Sequence, residues 1–355
     1  METLGVIRKV DEPPPWCRPI VPVIKPNGSI RICIDLTKLN KSVQRELYEL
    51  EAIEETIAKL GDNCKIMSKL DLNSGYYQMP LDQPSQLLTT FITPIGRYCM
   101  TVGPFGLSSM QEIYNKKLDT ILQLLKGVIK STDDILVYGR NDTEHQTNLD
   151  ALLDRLEQYN ITLNPNKCCF QQTEVDFLGV KITPDGIKPI PSKLEAVRDF
   201  KCPENITELR RFLGMAKQMG KFHSRLVDAK EPLRNLLSSK SSWIWTDDHE
   251  QAFQKIKDLL TNPTMLKLYD YNRLTKLRVD GSQLNGLGVI LYQQHQKQWH
   301  PVACASRFLS TAEKNYHNIE VEMLAITWGF EKMKMYLHGL QHFIVESDHK
   351  PLVPI

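Results

Sequence analysis

Asp133 and Asp134 stand side by side between two apolar, β-branched runs, Val128-Ile-Lys-Ser-Thr before them and Ile135-Leu-Val-Tyr after them. That pattern predicts a β-hairpin carrying two carboxylates at its tip. Adjacent like charges repel, so the arrangement needs solvent or a cation between the acids. Asp71, in Ser68-Lys-Leu-Asp-Leu-Asn-Ser-Gly-Tyr76, ends a second apolar strand. Three acids at strand ends suit a pair of hard Mg²⁺ ions, which take oxygen ligands and promote phosphoryl transfer. A further pair, Asp247-Asp248, is an internal control. It precedes Phe253, Ile256, Leu259 and Leu260 at helical spacing and predicts a helix N-cap and first turn, where negative charge favours the dipole. An Asp-Asp pair alone therefore says little; the strand context carries the inference.

With 355 residues, 41% hydrophobic and 24% charged, the chain has material for two or three globular domains. A formal charge of +2 neither demands nor excludes nucleic acid, which depends on local clusters. The 8 cysteines lack C-x-x-C spacing and the 9 histidines lack metal spacing, so no disulfide framework or zinc motif is predicted and a reducing compartment is the plain expectation. No signal peptide is visible, and no apolar stretch approaches the roughly 20 residues that span a bilayer. No membrane partner is expected. Both ends are expected to cut recognisable domains.

Strand-like segments at Pro19–Ile24 and Arg31–Asp35 flank Asn27-Gly28, a hairpin signal. A helix over Ile53, Ile57 and Leu60 should stop at Gly61. Phe91 to Val102 reads as strand, and Ser109-Met-Gln-Glu112 as a capping box opening a helix. Leu149, Leu152, Leu153, Leu156 and Tyr159 share one helical face. From Ser192, another capping-box pattern with Glu195, the chain becomes helical until Asn262-Pro263. Short strands then precede a long helix, roughly Ile319 to Leu337, and a strand from His342 to Asp348, an α/β pattern.

Taken in order, these segments resemble the reverse transcriptase and ribonuclease H region of the Pol polyprotein of gypsy-type (Metaviridae) long-terminal-repeat retrotransposons. The resemblance rests on Arg31-Ile-Cys-Ile-Asp35, Leu70-Asp-Leu-Asn-Ser-Gly-Tyr-Tyr-Gln78, Pro104-Phe-Gly-Leu107, Asp133-Asp-Ile-Leu-Val137, Asn164-Pro-Asn-Lys-Cys168 and Phe177-Leu-Gly179. It continues through Leu209-Arg-Arg-Phe-Leu-Gly214, Ala303-Cys-Ala-Ser-Arg307, Glu320-Val-Glu322 and Ser347-Asp-His-Lys-Pro-Leu352. It implies an α+β right-hand polymerase of fingers, palm and thumb, followed by a C-terminally truncated ribonuclease H-like α/β domain. The expected boundaries are 1–187 for fingers and palm, 188–265 for a helical thumb and connection region, and 266–355 for the ribonuclease H-like domain.

The resemblance also assigns roles. Asp71, Asp133 and Asp134, with the Leu72 carbonyl, are expected to hold two Mg²⁺ ions, with Mn²⁺ as the alternative. Tyr76 takes the place of an aromatic gate against a 2′-hydroxyl, Phe105 lines the nucleotide pocket, and Lys25 and Arg31 grip the incoming phosphates. Asp280, Glu322 and Asp348 match three ribonuclease H acids, the fourth ligand being expected beyond residue 355, which puts that activity in doubt. Expected partners are an RNA or DNA template with primer, an RNA–DNA hybrid and deoxynucleotide triphosphates. Expected localisation is cytoplasmic, in retroelement particles, with nuclear entry. Oligomeric state is left open.

Simpler readings stand beside these. Without Asp71 nearby Tyr76 reads as a half-buried strand aromatic, Lys25 and Arg31 read by default as solvated turn charges, and Glu322 and Asp348 on their own read more often as surface acids. Lys167 and Arg210-Arg211 divide evenly between phosphate and solvent. Several positions depart from the family's pattern: Ser131 for an aromatic or histidine, Gly103 for leucine, Met110-Gln111 for Ala-Pro, Asn115 for Gln, Val180 for an aromatic or histidine, Gly281 for Ala, and a polar Lys130. Surviving acids among drifted neighbours suit a decayed or partial copy, so a catalytically inactive remnant that at most binds nucleic acid is the alternative.

Overall fold

The computed structural model of the chain describes residues 1–14, 16–24, 28, 30–61, 64–223, 226–237, 243–284 and 286–349. Lys25, the Asn27 turn and the end of the Ser347–Leu352 segment lie outside them. Two compact units comprise residues 1–56 with 66–172, and residues 57–65 with 173–355.

The first unit runs β1 (Ile7–Lys9), β2 (Ile20–Ile24), β3 (Ile30–Ile34), α1 (Thr37–Asn40), α2 (Ile53–Ala58, cut by the division between units), β4 (Ile66–Asp71) and α3 (Gln83–Leu88). There follow β5 (Phe91–Thr93), β6 (Gly96–Met100), α4 (Met110–Leu122), β7 (Val128–Ser131), β8 (Asp134–Gly139), α5 (Asp142–Gln158) and β9 (Cys169–Gln172). Its main sheet has the order β7-β8-β4-β9, with β8 antiparallel to both β7 and β4. Ile135, Leu136 and Val137 of β8 are fully buried, each side chain contributing about 1.5–3 kcal/mol of burial. α5 starts at Asn141, whose side chain accepts from Glu144 N at 2.9 Å, and places Leu149, Leu152 and Leu156 in one core with Leu70, Ile135 and Val137. Beneath β4, buried Ser68 Oγ meets His145 Nε2 at 2.9 Å, tying α5 to the strand that ends in Asp71.

The second unit opens with the meander β10 (Val175–Phe177), β11 (Val180–Thr183) and β12 (Gly186–Pro189). Helices α6 (Pro191–Arg198), α7 (Ile206–Met219), α8 (Leu226–Arg234) and α9 (Asp247–Thr261) enclose a core of Leu209, Phe212, Ala216, Phe253 and Ile256. Next come β13 (Thr275–Ser282), β14 (Gly286–His295), β15 (Gln298–Arg307), α10 (Asn318–Lys332), α11 (Lys334–Leu337) and β16 (Ile344–Glu346). The sheet order is β15-β14-β13-β16, with β16 parallel to β13 and α10 packed across β13 and β14. Among the described residues no helix is long and apolar enough to cross a membrane.

Several local expectations change. Residues 91–102 form two paired strands, Thr93 opposite Gly96, because Pro94 and Gly96 turn the chain. Ser109 makes no capping hydrogen bond: Glu112 is drawn instead to the Arg45 guanidinium. α6 begins on Pro191 rather than on a Ser192 cap. Thr246, not Asp247, caps α9; its N–H donates to His249 Nδ1 at 3.1 Å, and the two acids sit in the first turn. The long C-terminal helix breaks at Met333. Ile187 of β12 forms an isolated antiparallel bridge with Leu266.

Candidate functional site

The acids of the first unit meet through strand register. Asp71 and Asp134 are directly opposed across β4 and β8, and Ser131 opposes Asp134 across a two-residue turn of Thr132 and Asp133. Thr132 takes φ 53°, a left-handed conformation that costs a β-branched residue about 1–3 kcal/mol and that only the surrounding sheet sustains. Leu72 N donates to the Asp133 carbonyl at 3.1 Å, so the end of β4 is laced to the hairpin tip. Asn164 N donates to the Asp71 carbonyl at 2.8 Å, bringing the Asn164-Pro-Asn-Lys segment alongside.

Each acid is in a different electrostatic state. Lys167 Nζ lies 3.1 and 3.2 Å from the two Asp71 oxygens, and Lys69 Nζ lies 3.2 Å from Asp134 Oδ1. Asp133 Oδ1 is buried, and the Tyr114 hydroxyl is the donor at its carboxyl. Burial pushes the Asp133 carboxyl above the ordinary range, with Asp71 and Asp134 pressing the same way and Tyr114 and Lys167 opposing. The Tyr114 hydroxyl is likewise buried, and burial, followed by the Asp133 charge and the hydrogen bond to that carboxyl, raises it strongly. Both atoms face Gly75, where an added Cβ would stand 2.5 Å from the tyrosine oxygen and 2.7 Å from Asp133 Oδ1.

Of the five expected nucleotide-binding residues, Arg31, Tyr76 and Phe105 converge, Leu72 lies at the end of β4 beside Asp133, and Lys25 lies outside the described residues. The Arg31 guanidinium sits 4.4 Å from the Phe105 ring centroid. Phe105 touches Tyr76 at 5.3 Å, and Tyr76 meets Tyr114 edge-on at 5.4 Å. A continuous line of side chains thus leads from Arg31 to Asp133. Tyr76 rides on a single 3-10 turn, Gly75–Gln78, rather than on a strand.

In the second unit Asp280 on β13, Glu322 on α10 and Asp348 after β16 bring carboxylate oxygens within 4.8 Å of one another. Glu322 is 5% exposed and its Oε2 has no hydrogen-bond partner. Burial raises its carboxyl, and the Asp348 and Asp280 charges add to the shift. Gly281 allows this closeness: a Cβ there would lie 2.8 Å from the Val321 carbonyl and 3.0 Å from Glu322 Cα.

The second cluster meets the geometric condition for a divalent cation, whereas the Asp71, Asp133 and Asp134 oxygens do not draw together that closely. Both offer carboxylate oxygens, the donors of a hard ion, and Glu322 Oε2 has no hydrogen-bond partner among the described residues. The ammonium groups of Lys69 and Lys167 already supply positive charge at the first cluster. Sequence reasoning singled out every acid but missed Lys69, Tyr114 and Gly75 and left Lys167 open. Lys69 reads as an ordinary strand charge, and Tyr114 carries only the signal of its helical face.

A hairpin acid site beside an aromatic line, and an acid triad on a mixed sheet crossed by a helix, belong to a right-hand polymerase joined to a ribonuclease H-like domain. The chain is a member of the reverse transcriptases, from the reverse transcriptase and ribonuclease H region of retrotransposon Pol polyproteins. Residues 23–182 match the family described as reverse transcriptase (RNA-dependent DNA polymerase), and residues 245–345 match the RNase H-like domain found in reverse transcriptase. The Pol polyprotein from transposon 297 of Drosophila melanogaster is 34% identical over 355 residues, covering 98% of this chain and 33% of its own length. The transposon Tf2-3 polyprotein of Schizosaccharomyces pombe is 32% identical over 339 residues, covering 94% and 25%. The chain thus spans a quarter to a third of these curated relatives. Foamy viral protease–reverse transcriptase in complex with double-stranded DNA shares the fold, with TM-score 0.86 at 22% identity over 98% of this chain and 72% of that one. The same protein with an RNA/DNA hybrid gives 0.83 at 21% identity, over 97% and 46%.

Proposed function

We propose that the first unit is an RNA-directed DNA polymerase, adding deoxynucleotides to a primer on an RNA or DNA template, within a gypsy-type retroelement. The 3′-hydroxyl attacks the α-phosphorus of the incoming triphosphate and pyrophosphate leaves. Asp71, Asp133 and Asp134, with the Leu72 carbonyl, would hold Mg²⁺, which when bound would supply charge stabilisation at the phosphates and a more acidic hydroxyl. Arg31, with Lys25, grips the triphosphate through a fork and a point charge. Phe105 lines the nucleotide pocket and the Tyr76 ring stands against a 2′-hydroxyl.

In this reading residues 1–187 serve as fingers and palm, 188–265 as thumb and connection, and 266–355 as the ribonuclease H-like domain. Asp280, Glu322 and Asp348 would hold Mg²⁺ and direct water at the RNA strand of an RNA–DNA hybrid. The work would be done in the cytoplasm, in element particles, with nuclear entry of the product.

The observation that carries the polymerase reading is the buried Asp133 carboxyl beside two other carboxylates, at the end of the side-chain line from Arg31. It is tested by primer extension with Mg²⁺ and deoxynucleotides, comparing the unmutated chain with Asp133→Asn. Extension lost in the variant supports it; an unmutated chain that extends no primer refutes it.

A further inference from the structure

Gly103 and Met110 both depart from the pattern of the resembled family, and the structure sets them against one another. A Cβ at Gly103 would stand 2.5 Å from Met110 Sδ, 2.7 Å from its Cε and 2.9 Å from the Tyr76 carbonyl oxygen. The thioether end of Met110 therefore occupies the space that a side chain at position 103 would need. Met110 is 3% exposed and packs in one core with Leu70, Leu72 and Tyr114, against which Tyr76 also rests. Gly103 N donates to the Met79 carbonyl at 2.8 Å, and Met79 N donates to the Tyr76 carbonyl at 3.1 Å. The bare backbone at 103 lies flush on the one turn that carries Tyr76, with Met110 filling beside it.

We propose that Met110, admitted by Gly103, is a positioning residue that sets the seat of the Tyr76 ring and hence the discrimination between deoxynucleotides and ribonucleotides. The inference deepens the polymerase reading and rests on it. The Tyr76 ring is held at its sides by Phe105 and Tyr114, so its remaining freedom is movement of the 3-10 turn as a whole. Met110 blocks that movement from the core side. An unbranched, polarizable side chain can fill such an irregular gap. Exchanging side-chain volume between positions 103 and 110 preserves filling, which cores tolerate well.

The test uses the full chain in primer extension, reading kcat/KM for a deoxynucleotide and for the matching ribonucleotide. Met110→Ala is expected to lower the deoxy-to-ribo ratio about tenfold, through better ribonucleotide use, because small misplacement of a contact group shifts rates on that scale. Met110→Leu should keep the ratio. Gly103→Ala should depress deoxynucleotide use by displacing the turn, and adding Met110→Ala to it should recover most of that loss. A ratio unmoved in Met110→Ala, or equal losses for both nucleotides, overturns the inference and leaves the polymerase reading standing. An unmutated chain that extends nothing overturns both. Should Met110→Ala fail to fold, Met110→Val makes the same comparison, with the same outcomes deciding.

Discussion

The two acid clusters use the same donors in opposite ways. In the first unit, two of three carboxylates are already paired with lysine and the third is buried beside the Tyr114 hydroxyl. In the second, three carboxylates crowd within 4.8 Å and one buried oxygen lacks a partner. The difference teaches that a cation site can be braced or bare. A braced site folds with its charges partly neutralised and must release a lysine when a metal enters. A bare site keeps its repulsion until the metal arrives, and its geometry is set by backbone closeness at Gly281.

The largest effect should separate the two clusters by function. Asp133→Asn is expected to cut primer extension by about a thousandfold or more, since several kcal/mol of charge stabilisation depends on the metal and about 1.4 kcal/mol is tenfold. The same variant should leave the Mg²⁺ response of the second unit intact. Extension kinetics and Mg²⁺ titration by calorimetry on one preparation read both. A loss of Mg²⁺ binding at both clusters would break the comparison.

Melting against Mg²⁺ concentration sharpens it next. A cation bound at one hundred times its Kd stabilises by about 2.7 kcal/mol. The bare cluster, with no lysine pair among the described residues to displace, should fill at lower Mg²⁺ than the braced one. Glu322→Gln should remove the part of the melting gain that saturates first, and Asp71→Asn the part that saturates later. The reverse order of loss would show that the lysines do not compete with metal.

Lys167 offers a smaller test of the same contrast. Its side chain is 64% exposed, so its pair with Asp71 is worth at most about 1 kcal/mol. Lys167→Met should therefore lower the Mg²⁺ concentration needed at the braced cluster by about fivefold or less, with no change at Glu322. A rise in that concentration would mean that Lys167 organises Asp71 for metal rather than standing in for it.

What the sequence made legible follows from the range of each interaction. The acids were readable because apolar alternation marks strand ends, and Asp71 opposite Asp134 is a register consequence of two such strands. The aromatic line was readable only through the family resemblance, since Arg31, Tyr76 and Phe105 have no local relation. Lys69 and Tyr114 stayed hidden because their partners lie across the sheet and on another element. The caps at Ser109 and Ser192 misled for a related reason. A local hydrogen bond was available, but Arg45 took Glu112 from a distance, and Pro191 supplied a start that needed no donor. Asn115 and Lys130 show the same tertiary logic: two departures from the family pattern that bond to each other at 2.9 Å.

The smallest expected effect is on stability against pH, and its sign separates a buried acid from a salt-bridged one. Burial raises the folded-state value of Asp133 above its ordinary 3.8. Below 3.8 both folded and unfolded chains hold the proton and the site costs nothing. Between 3.8 and the raised value only the folded chain holds it, so stability falls as pH rises through that window. Above the raised value the loss is complete. Glu322 behaves alike from its ordinary 4.5. Without divalent metal, Asp133→Asn and Glu322→Gln should each melt slightly higher than the unmutated chain at pH 7, on the order of a degree or two, with the gain vanishing in acid. With Mg²⁺ the order should invert, because the unmutated chain gains a cation that the variants cannot hold. Melting curves from pH 4 to 8, with chelator and with Mg²⁺, measure this directly. A variant that melts lower than the unmutated chain at neutral pH in chelator would mean that its acid is paired within the protein, and that the reading of that cluster as a cation site is wrong.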